Sequence, residues 1–128
     1  MTAPPLDGVK VLDCTQFMAG PYCTLLLADA GAEVIKIERP VRGDPRRAMP
    51  PFAEKDGIKK AAGFMGYNRN KKSLALDLQK IEGQNVFRDL VATSDVVVEN
   101  LRPGAMDKLG LNFDNFSQSH SRLIWAVI

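Results

Sequence analysis

The sequence has little of what a metal centre needs. It contains one histidine, His120, and two cysteines, Cys14 and Cys23, which are not spaced as a CxxC pair. Two thiols and one imidazole do not complete a zinc site without other ligands, so a Cys/His metal centre is nearly excluded. We interpret both cysteines as small buried hydrophobic side chains. His120 lies in a Ser-Gln-Ser-His-Ser run, which indicates an exposed loop and leaves no credible Ser/His/Asp triad.

Long apolar runs and a strong net charge are also missing. No stretch approaches the roughly 18 apolar residues of a membrane-spanning helix, and no signal peptide is visible. The formal net charge of +2 does not by itself indicate a nucleic-acid or membrane partner. We therefore expect one domain of a reduced, cytoplasmic protein with no nucleic-acid and no membrane partner.

The sequence lacks the glycine-rich loops that bind nucleotide phosphates. There is no GxxxxGK[ST] loop, and the first turn reads Thr15-Gln16-Phe17-Met18-Ala19-Gly20-Pro21 rather than GxGxxG. Phe17 and Met18 would obstruct the close backbone approach to a pyrophosphate that glycines allow. Glu38 stands where a ribose-binding acid is expected, but without the glycines a nicotinamide-dinucleotide site is disfavoured.

What the chain does have is an alternation of strands and helices. Apolar and β-branched runs predict strands over residues 9–13, 32–37, 73–78, 95–99 and 123–128. Helical spacing and caps predict helices from Pro21 to a Gly31 cap, over 81–92, over 105–109 and within 114–119. This order predicts an α/β fold: a Rossmann-like parallel sheet with flanking helices. The final apolar run has no turn after it, so we expect an incomplete large domain.

Residues 39–70 interrupt this alternation. They contain four prolines and four glycines, namely Pro40, Pro45, Pro50, Pro51, Gly43, Gly57, Gly63 and Gly66. That composition predicts a long irregular excursion, which in a compact domain is usually functional or mobile.

Basic residues crowd the same region. Eleven of them lie between residues 36 and 72: Lys36, Arg39, Arg42, Arg46, Arg47, Lys55, Lys59, Lys60, Arg69, Lys71 and Lys72. Such a cluster either forms a solvated surface or attracts an anionic, phosphorylated small ligand, and both interpretations stay open.

Polar groups follow several of the predicted strands. Ligands of open parallel sheets bind beyond the carboxyl ends of the strands, so these groups should meet at one edge. The helix that starts at Gly20-Pro21 has free N–H groups that attract anions. The Asn100 amide can pair with an adenine edge or a phosphate oxygen, and Arg39, Arg102 and Lys108 supply positive charge.

Several segments together resemble the class III CoA-transferases, also called the CaiB/BaiF family. The longest matches are residues 5–13, 27–38 and 95–104. Shorter matches are Ala19-Gly20-Pro21, Gly43-Asp44, Asn70-Lys71-Lys72-Ser73, Leu76-Asp77-Leu78 and Leu109-Gly110-Leu111. The resemblance extends over essentially the whole chain. The family includes formyl-CoA and carnitine-CoA transferases and the α-methylacyl-CoA racemases.

The resemblance implies a Rossmann-like large domain, a second smaller domain, and a homodimer of two interlocked chains. It implies coenzyme A or acyl-CoA and a carboxylic acid as substrates, with no permanently bound cofactor and no metal. Carried over by position, the CoA-binding residues are Gln16, Phe17, Met18, Ala19, Arg39, Leu76, Gln79, Asn100, Leu101 and Lys108. Gln79 and Lys108 replace a frequent lysine and a common arginine, and Gln16 is histidine in some relatives. Lysine at position 108 keeps the charge but lacks the bidentate fork.

The resemblance assigns no catalytic residue to these 128 residues. The transferases use an aspartate that forms anhydride and thioester intermediates, and the racemases use a His and Asp pair, both downstream of the fifth strand. Asp13, Asp29, Asp44 and Asp77 fall at structural or peripheral family positions. We expect residues 1–128 to be the N-terminal, CoA-binding part of a large domain, without the second domain and the catalytic segment. Three functions stay open: CoA-transferase, racemase, and a non-catalytic CoA-binding or assembly module.

Overall fold

The architecture is a five-stranded parallel sheet with flanking helices, beside a two-stranded hairpin, in a computed structural model that describes residues 2–128. The elements along the chain are β1 (Lys10–Cys14), α1 (Ala19–Asp29), β2 (Glu33–Glu38), β3 (Phe52–Lys55), β4 (Ile58–Ala61), α2 (Ala62–Asn68), β5 (Lys71–Ala75), α3 (Ile81–Ala92), β6 (Val96–Glu99), α4 (Ala105–Lys108), α5 (Phe113–Ser117) and β7 (Ile124–Val127). The large sheet has the order β5-β2-β1-β6-β7, and all neighbours in it are parallel. The predicted Rossmann-like α/β fold is confirmed.

The central strand β1 carries buried apolar side chains on both faces of the sheet, which places it in the middle. Successive residues of β1, Val11 and Leu12, are both buried and belong to two different core clusters. They do so because side chains of a strand alternate between its faces. Val11 packs in the cluster that holds Ala28 of α1, and Leu12 packs in the cluster that holds Val91 of α3. A strand buried on both faces is typical of the middle of a parallel sheet.

Helix α3 has the predicted bounds, but its apolar stripe is narrower than its sequence suggests. Phe87 and Val91 are fully buried and Leu90 packs against the same core. Val86, which the spacing also places on the apolar face, is exposed. No helix among residues 2–128 has the length and apolar character needed to cross a membrane.

The third predicted strand, 73–78, is misplaced. The β5 strand begins at Lys71 and ends at Ala75, where Leu76 N–H donates to Glu38 O at 2.8 Å as the last link to β2. Leu76 and Leu78 are apolar because they pack against the core from the turn that follows, not because they lie in the sheet. Their alternation therefore imitated a strand.

Three further local predictions need correction. Helix α1 begins two residues before Pro21, and the missing proline N–H is still harmless there because the first four N–H groups of a helix have no intrahelical partner. Cys14 is buried as predicted, whereas Cys23 is only half-buried. His120 is half-buried rather than exposed, because its backbone closes the turn between α5 and β7 through bonds with Phe116 and Leu123.

The excursion over residues 39–70 is ordered, so the prediction of irregular structure is wrong. A short 3-10 helix at Pro45–Ala48 is followed by the antiparallel β3–β4 hairpin and by α2. The hairpin turn consists of Asp56 and Gly57, both with positive φ (54° and 74°). Asp-Gly is a strong signal for this tight turn, but the surrounding prolines and glycines obscured it.

Glu38 ties this excursion to the sheet. Arg47 Nε and Nη2 donate to its two carboxylate oxygens at 2.7 Å each. The backbone N–H of Asp44 (2.9 Å) and the hydroxyl of Ser73 (2.8 Å) donate to the same two oxygens. The Arg47 guanidinium in turn lies 3.7 Å from the centre of the Phe64 ring. Each carboxylate oxygen accepts two bonds, so Glu38 is a structural anchor and has no lone pair left for a ribose.

These contacts lower the pKa of Glu38. Burial alone would raise it, but hydrogen bonds from Arg47, from the Asp44 N–H and from Ser73, together with the Arg47 charge, lower it to about 2. A carboxyl group whose pKa is lower in the folded than in the unfolded chain stabilises the fold above its unfolded pKa. That contribution is lost as the pH falls from about 4.5 toward 2.

The Glu38→Gln substitution should therefore reduce stability at pH 7 by on the order of 2–3 kcal/mol, and the difference from the parent chain should disappear near pH 2. Urea unfolding of the parent and variant chains between pH 7 and pH 2 measures this difference in stability. The control is Glu33→Gln, which removes an exposed carboxylate paired with Lys72 and should change stability much less. A Glu38→Gln penalty that is independent of pH would contradict the assigned anchor.

Two glycines should respond in opposite directions to alanine. A Cβ at Gly83 in α3 would overlap the backbone carbonyl of Asp77, whereas a Cβ at Gly66 in α2 meets open space. Gly83→Ala should destabilise by about 1–3 kcal/mol, and Gly66→Ala should stabilise by about 0.5–1 kcal/mol. Thermal unfolding of both variants tests the packing of α3 against the turn after β5. Equal effects of the two substitutions would refute that packing.

Candidate functional site

The carboxyl ends of the five parallel strands form one edge of the sheet, and nine of the ten predicted ligand-binding residues lie within about five residues after these ends. In spatial order they are Leu76 and Gln79 after β5, Arg39 after β2, Gln16, Phe17, Met18 and Ala19 after β1, and Asn100 and Leu101 after β6. Lys108 is exposed at the end of α4. We call the edge formed by the carboxyl ends of the strands the carboxyl edge. The edge is where open parallel sheets bind ligands.

The centre of this edge is the turn of residues 15–18, which we call the first turn. Asn100 reaches it from the end of β6. Its side-chain Oδ1 accepts from Gln16 N–H at 2.7 Å, and its Nδ2 donates to Gln16 O at 2.9 Å. The Asn100 side-chain amide thus bonds both backbone groups of Gln16, as a neighbouring strand would, and joins the end of β6 to the first turn. One N–H of this amide and its oxygen are therefore used to hold the first turn.

Phe17 adopts a backbone conformation that this residue type rarely takes. Its φ is +69°, in the left-handed region, which costs a non-glycine residue roughly 1–2 kcal/mol. Its N–H donates to Asp44 Oδ1 at 3.2 Å. The side chains of Phe17 and Met18 are about half exposed (44% and 51%). Two apolar side chains therefore project from the carboxyl edge.

The first turn leads into an N-terminus of α1 with free N–H groups. Met18 is the N-cap without a side-chain cap, and the first turn of the helix has no acidic residue. Among residues 2–128, no acceptor bonds the N–H of Ala19 or Gly20. Gly20 is required because a Cβ there would overlap the Thr15 side chain. Free N–H groups and the helix dipole make this end suitable for an anion.

Four charged side chains lie buried beneath the first turn: Asp13, Lys36, Asp44 and Lys71, which we call the buried charge cluster. Lys71 Nζ donates to Asp13 Oδ2 at 2.9 Å and also to Pro21 O and Thr24 Oγ1, both at 2.8 Å. Burial lowers the pKa of Lys71, and the Asp13 charge works against that shift. Lys71 thus connects β5 to β1 and to the start of α1.

Lys36 occupies the other side of the cluster. Its side chain is almost fully buried, and its Nζ donates to Thr15 O at 2.8 Å. It lies 3.0 Å from Asp44 Oδ2 and 4.0 Å from Asp13 Oδ2. The contact with Asp44 is an ion pair whose alignment is not that of a hydrogen bond. Asp13 also accepts from the N–H and hydroxyl of Thr15.

The basic residues between 36 and 72 divide into two groups. Five pair with carboxylates, namely Lys36, Arg47, Arg69, Lys71 and Lys72. Within residues 2–128, the other six have no carboxylate at ion-pair distance, namely Arg39, Arg42, Arg46, Lys55, Lys59 and Lys60. Arg39 is exposed directly after β2, so it remains available for an anion at the carboxyl edge.

The structure also contains a cleft that the sequence did not suggest. About 210 Å³ in volume, it lies at the ends of β6 and β7, and its lining residues are Glu99, Gly104, Met106, Asp107, Asn112, Phe113, Asp114, Trp125 and Val127. Glu99 accepts from Leu101 N–H at 2.8 Å. Three carboxylates line the cleft, so it does not suit a phosphate. Its residues come from four elements, which is why no local pattern revealed it.

No side chain in the described region stands out as a nucleophile. Asp13 and Asp44 are buried in the charge cluster, and Asp29 pairs with Arg69 at 2.5 Å. Burial raises the pKa of the Cys14 thiol, which keeps it neutral. Residues 2–128 hold no group of three or more His, Cys, Asp or Glu side chains arranged for a metal ion. What these residues place at the carboxyl edge is unpaired backbone N–H, positive charge and apolar side chains.

Curated proteins similar to this chain are CoA-transferases. Over 125 residues it is 47% identical to the succinyl-CoA:mesaconate CoA-transferase of Haloarcula hispanica, a match that covers 96% of this chain and 31% of that protein. It is 40% identical over 125 residues to the succinyl-CoA:glutarate CoA-transferase of Homo sapiens, with 97% and 28% covered. The chain thus spans about a third of the length of these relatives.

Solved structures agree with this relationship. A CAIB/BAIF family protein from Brucella suis superposes with a TM-score of 0.90 at 40% identity, covering 98% of this chain and 33% of that one. Rv3272 from M. tuberculosis superposes with a TM-score of 0.88 at 42% identity, covering 98% and 34%. The family model described as CoA-transferase family III matches residues 6–128. The resemblance seen in the sequence is confirmed, and the chain belongs to CoA-transferase family III.

Proposed function

We propose that residues 1–128 form the CoA-binding part of an enzyme that transfers CoA from an acyl-CoA to a carboxylic acid. The observation that carries the proposal is the uncapped N-terminus of α1 at the carboxyl edge, next to the exposed Arg39. Coenzyme A is a polyanion with an adenine ring and an arm that contains hydrocarbon as well as amide groups. Free N–H groups and a guanidinium match its phosphates, and the exposed Phe17 and Met18 side chains match its apolar parts.

The remaining proposed contacts extend this edge on both sides. Leu76 and Leu101 are half-buried where they follow β5 and β6, and we propose that the exposed part of each contacts the ligand. Gln79 and Lys108 are exposed farther out. A lysine at position 108 provides a point charge rather than a planar fork, so we expect it to bind a phosphate through charge alone. In this arrangement CoA is a substrate that lies across β5, β2, β1 and β6.

Transfer itself needs a group that these residues do not supply. A carboxylate nucleophile attacks the thioester carbonyl, the CoA thiolate leaves, and an acyl–enzyme anhydride forms. Asp13 and Asp44 are buried and paired with lysines, which makes them unsuitable. We propose that an aspartate downstream of residue 128 is the nucleophile, and that the chain alone binds CoA without turnover. We further propose that the whole enzyme is a cytoplasmic homodimer of interlocked chains.

The relatives favour transfer over the two other functions considered. The curated proteins of Haloarcula hispanica and Homo sapiens are both named for CoA transfer between succinyl-CoA and a dicarboxylate. Neither name describes epimerisation of a 2-methylacyl-CoA or a non-catalytic module. We therefore propose a carboxylic acid as the second substrate.

Removing the charge of Arg39 should weaken CoA binding without unfolding the chain. Arg39→Ala should raise the dissociation constant for CoA about tenfold or more, because a charge-assisted phosphate contact is lost. Calorimetric titration with CoA measures this, with NADH as the control ligand. The matched control variant is Arg122→Ala, which removes an equal charge just before β7 at the opposite edge of the sheet.

Three results would count against the proposal. An unchanged affinity in Arg39→Ala would remove Arg39 from the site. A folded chain that shows no saturable CoA binding would refute assembly of the site within these residues. Binding of NADH instead of CoA would overturn the choice of ligand.

A further inference from the structure

We propose that Asp44, held in place by Lys36, is a positioning residue that locks the first turn in its ligand-binding conformation and so sets the affinity for CoA. This inference rests on the CoA-binding function proposed above. Neither side chain belongs to the predicted contact set, and both are almost fully buried. Their effect on a ligand must therefore be transmitted through the first turn.

Asp44 acts on the residue of the first turn that has a positive φ. Phe17 has a φ of +69°, and its N–H donates to Asp44 Oδ1 at 3.2 Å. A phenylalanine keeps such a conformation only where its surroundings determine it. The side chain that does so comes from residue 44, at the start of the excursion, and not from a neighbour in sequence.

Lys36 contacts both the first turn and Asp44. Its Nζ donates to the Thr15 carbonyl at 2.8 Å and pairs with Asp44 Oδ2 at 3.0 Å. One ammonium group therefore holds the beginning of the turn and also the carboxylate that holds Phe17. Without Asp44, the carboxylate nearest to Lys36 is Asp13, at 4.0 Å.

Asp44 is itself fixed from outside the turn. Its N–H donates to Glu38 Oε2 at 2.9 Å, and its Oδ1 also accepts from Arg46 N–H at 2.8 Å. The carboxylate is thus oriented by the end of β2 and by the 3-10 helix. This makes the first turn dependent on correct folding of the excursion.

The consequence for binding follows from the position of the free N–H groups. Ala19 and Gly20 follow Phe17 after only the N-cap residue Met18, so their direction depends on the Phe17 backbone angles. If Asp44 is lost, the turn samples other conformations and only part of the population can bind. The apparent affinity then falls by the fraction that remains competent.

The test compares three variants of the 128-residue chain. Asp44→Ala removes the acceptor of the Phe17 N–H, whereas Asp44→Asn keeps an oxygen at that position and removes only the charge. Val91→Ala is the control for general stability, because Val91 is fully buried in the α3 core cluster and makes no hydrogen bond with the first turn. Amide hydrogen exchange at Phe17 and calorimetric CoA affinity are measured at a temperature where every variant is folded.

We expect Asp44→Ala to speed exchange at Phe17 and to weaken CoA binding by about tenfold or more, with Asp44→Asn retaining most of both properties. Val91→Ala should lower the melting temperature and leave both readouts unchanged. Asp44→Ala leaves Lys36 buried without its partner, which can unfold a protein. Lys36→Met/Asp44→Ala removes both charges and should give the same two losses in a folded chain.

Parent-like exchange and affinity in Asp44→Ala, or in the double variant, would overturn the inference. An equal loss of affinity in Val91→Ala would also overturn it, because the effect would then be one of general stability. If the parent chain binds no CoA, the proposed function fails. Exchange at Phe17 still decides whether Asp44 positions the turn, so the two failures are distinguishable.

Discussion

The structure depends on the mutual neutralisation of four buried charges. Asp13, Lys36, Asp44 and Lys71 are two acids and two bases, and moving any one of them out of water alone costs several kcal/mol. Each therefore needs its partners, and the partners lie on β1, β2, the excursion and β5. The sheet cannot form its carboxyl edge without bringing these segments together. A buried ion cluster of this kind specifies an arrangement more than it adds stability.

The same cluster explains why the acids and lysines beneath the first turn are not free to act on a ligand. Its acids are used to hold lysines, and its lysines are used to hold the first turn and the start of α1. Within residues 2–128, what remains unpaired at the edge is the backbone N–H of Ala19 and Gly20 and the charge of Arg39, and the apolar side chains of Phe17 and Met18 are exposed there. This division is consistent with the proposals that the edge binds CoA and that the nucleophile comes from another segment. The acidic cleft beside Glu99 lies at the β7 side of this edge.

Much of the fold could be predicted because it is encoded locally. The bounds of α3 follow from helical spacing, and β1 and β6 follow from short apolar runs between polar ends. The predictions were wrong where the local sequence pattern is typical of one element but the residues belong to another in the folded chain. Leu76 and Leu78 alternate like strand residues but pack from a turn, and the proline-rich excursion hides a hairpin formed around Asp56 and Gly57.

The candidate site was predictable in its location but not in its internal bonding. Parallel strands fix one edge, so the residues after each strand could be assigned to it from the sequence. The pairing of Asp13 with Lys71, however, joins residues 58 positions apart, and that of Asn100 with Gln16 joins residues 84 apart. No spacing rule connects such residues. For the same reason the basic residues of 36–72 looked like one surface, although Lys36 and Lys71 are interior.

The most direct test of the central claim is a titration of the ¹⁵N-labelled chain with CoA, followed by the chemical shift of every backbone amide. The account predicts that the largest changes fall on Met18, Ala19 and Gly20 and on the residues that follow β2 and β6. The chemical shifts of the amides near Asp95 and Arg122, at the edge formed by the amino ends of the strands, should not change. Changes confined to that opposite edge, or to the acidic cleft, would contradict the placement of the CoA site at the carboxyl edge.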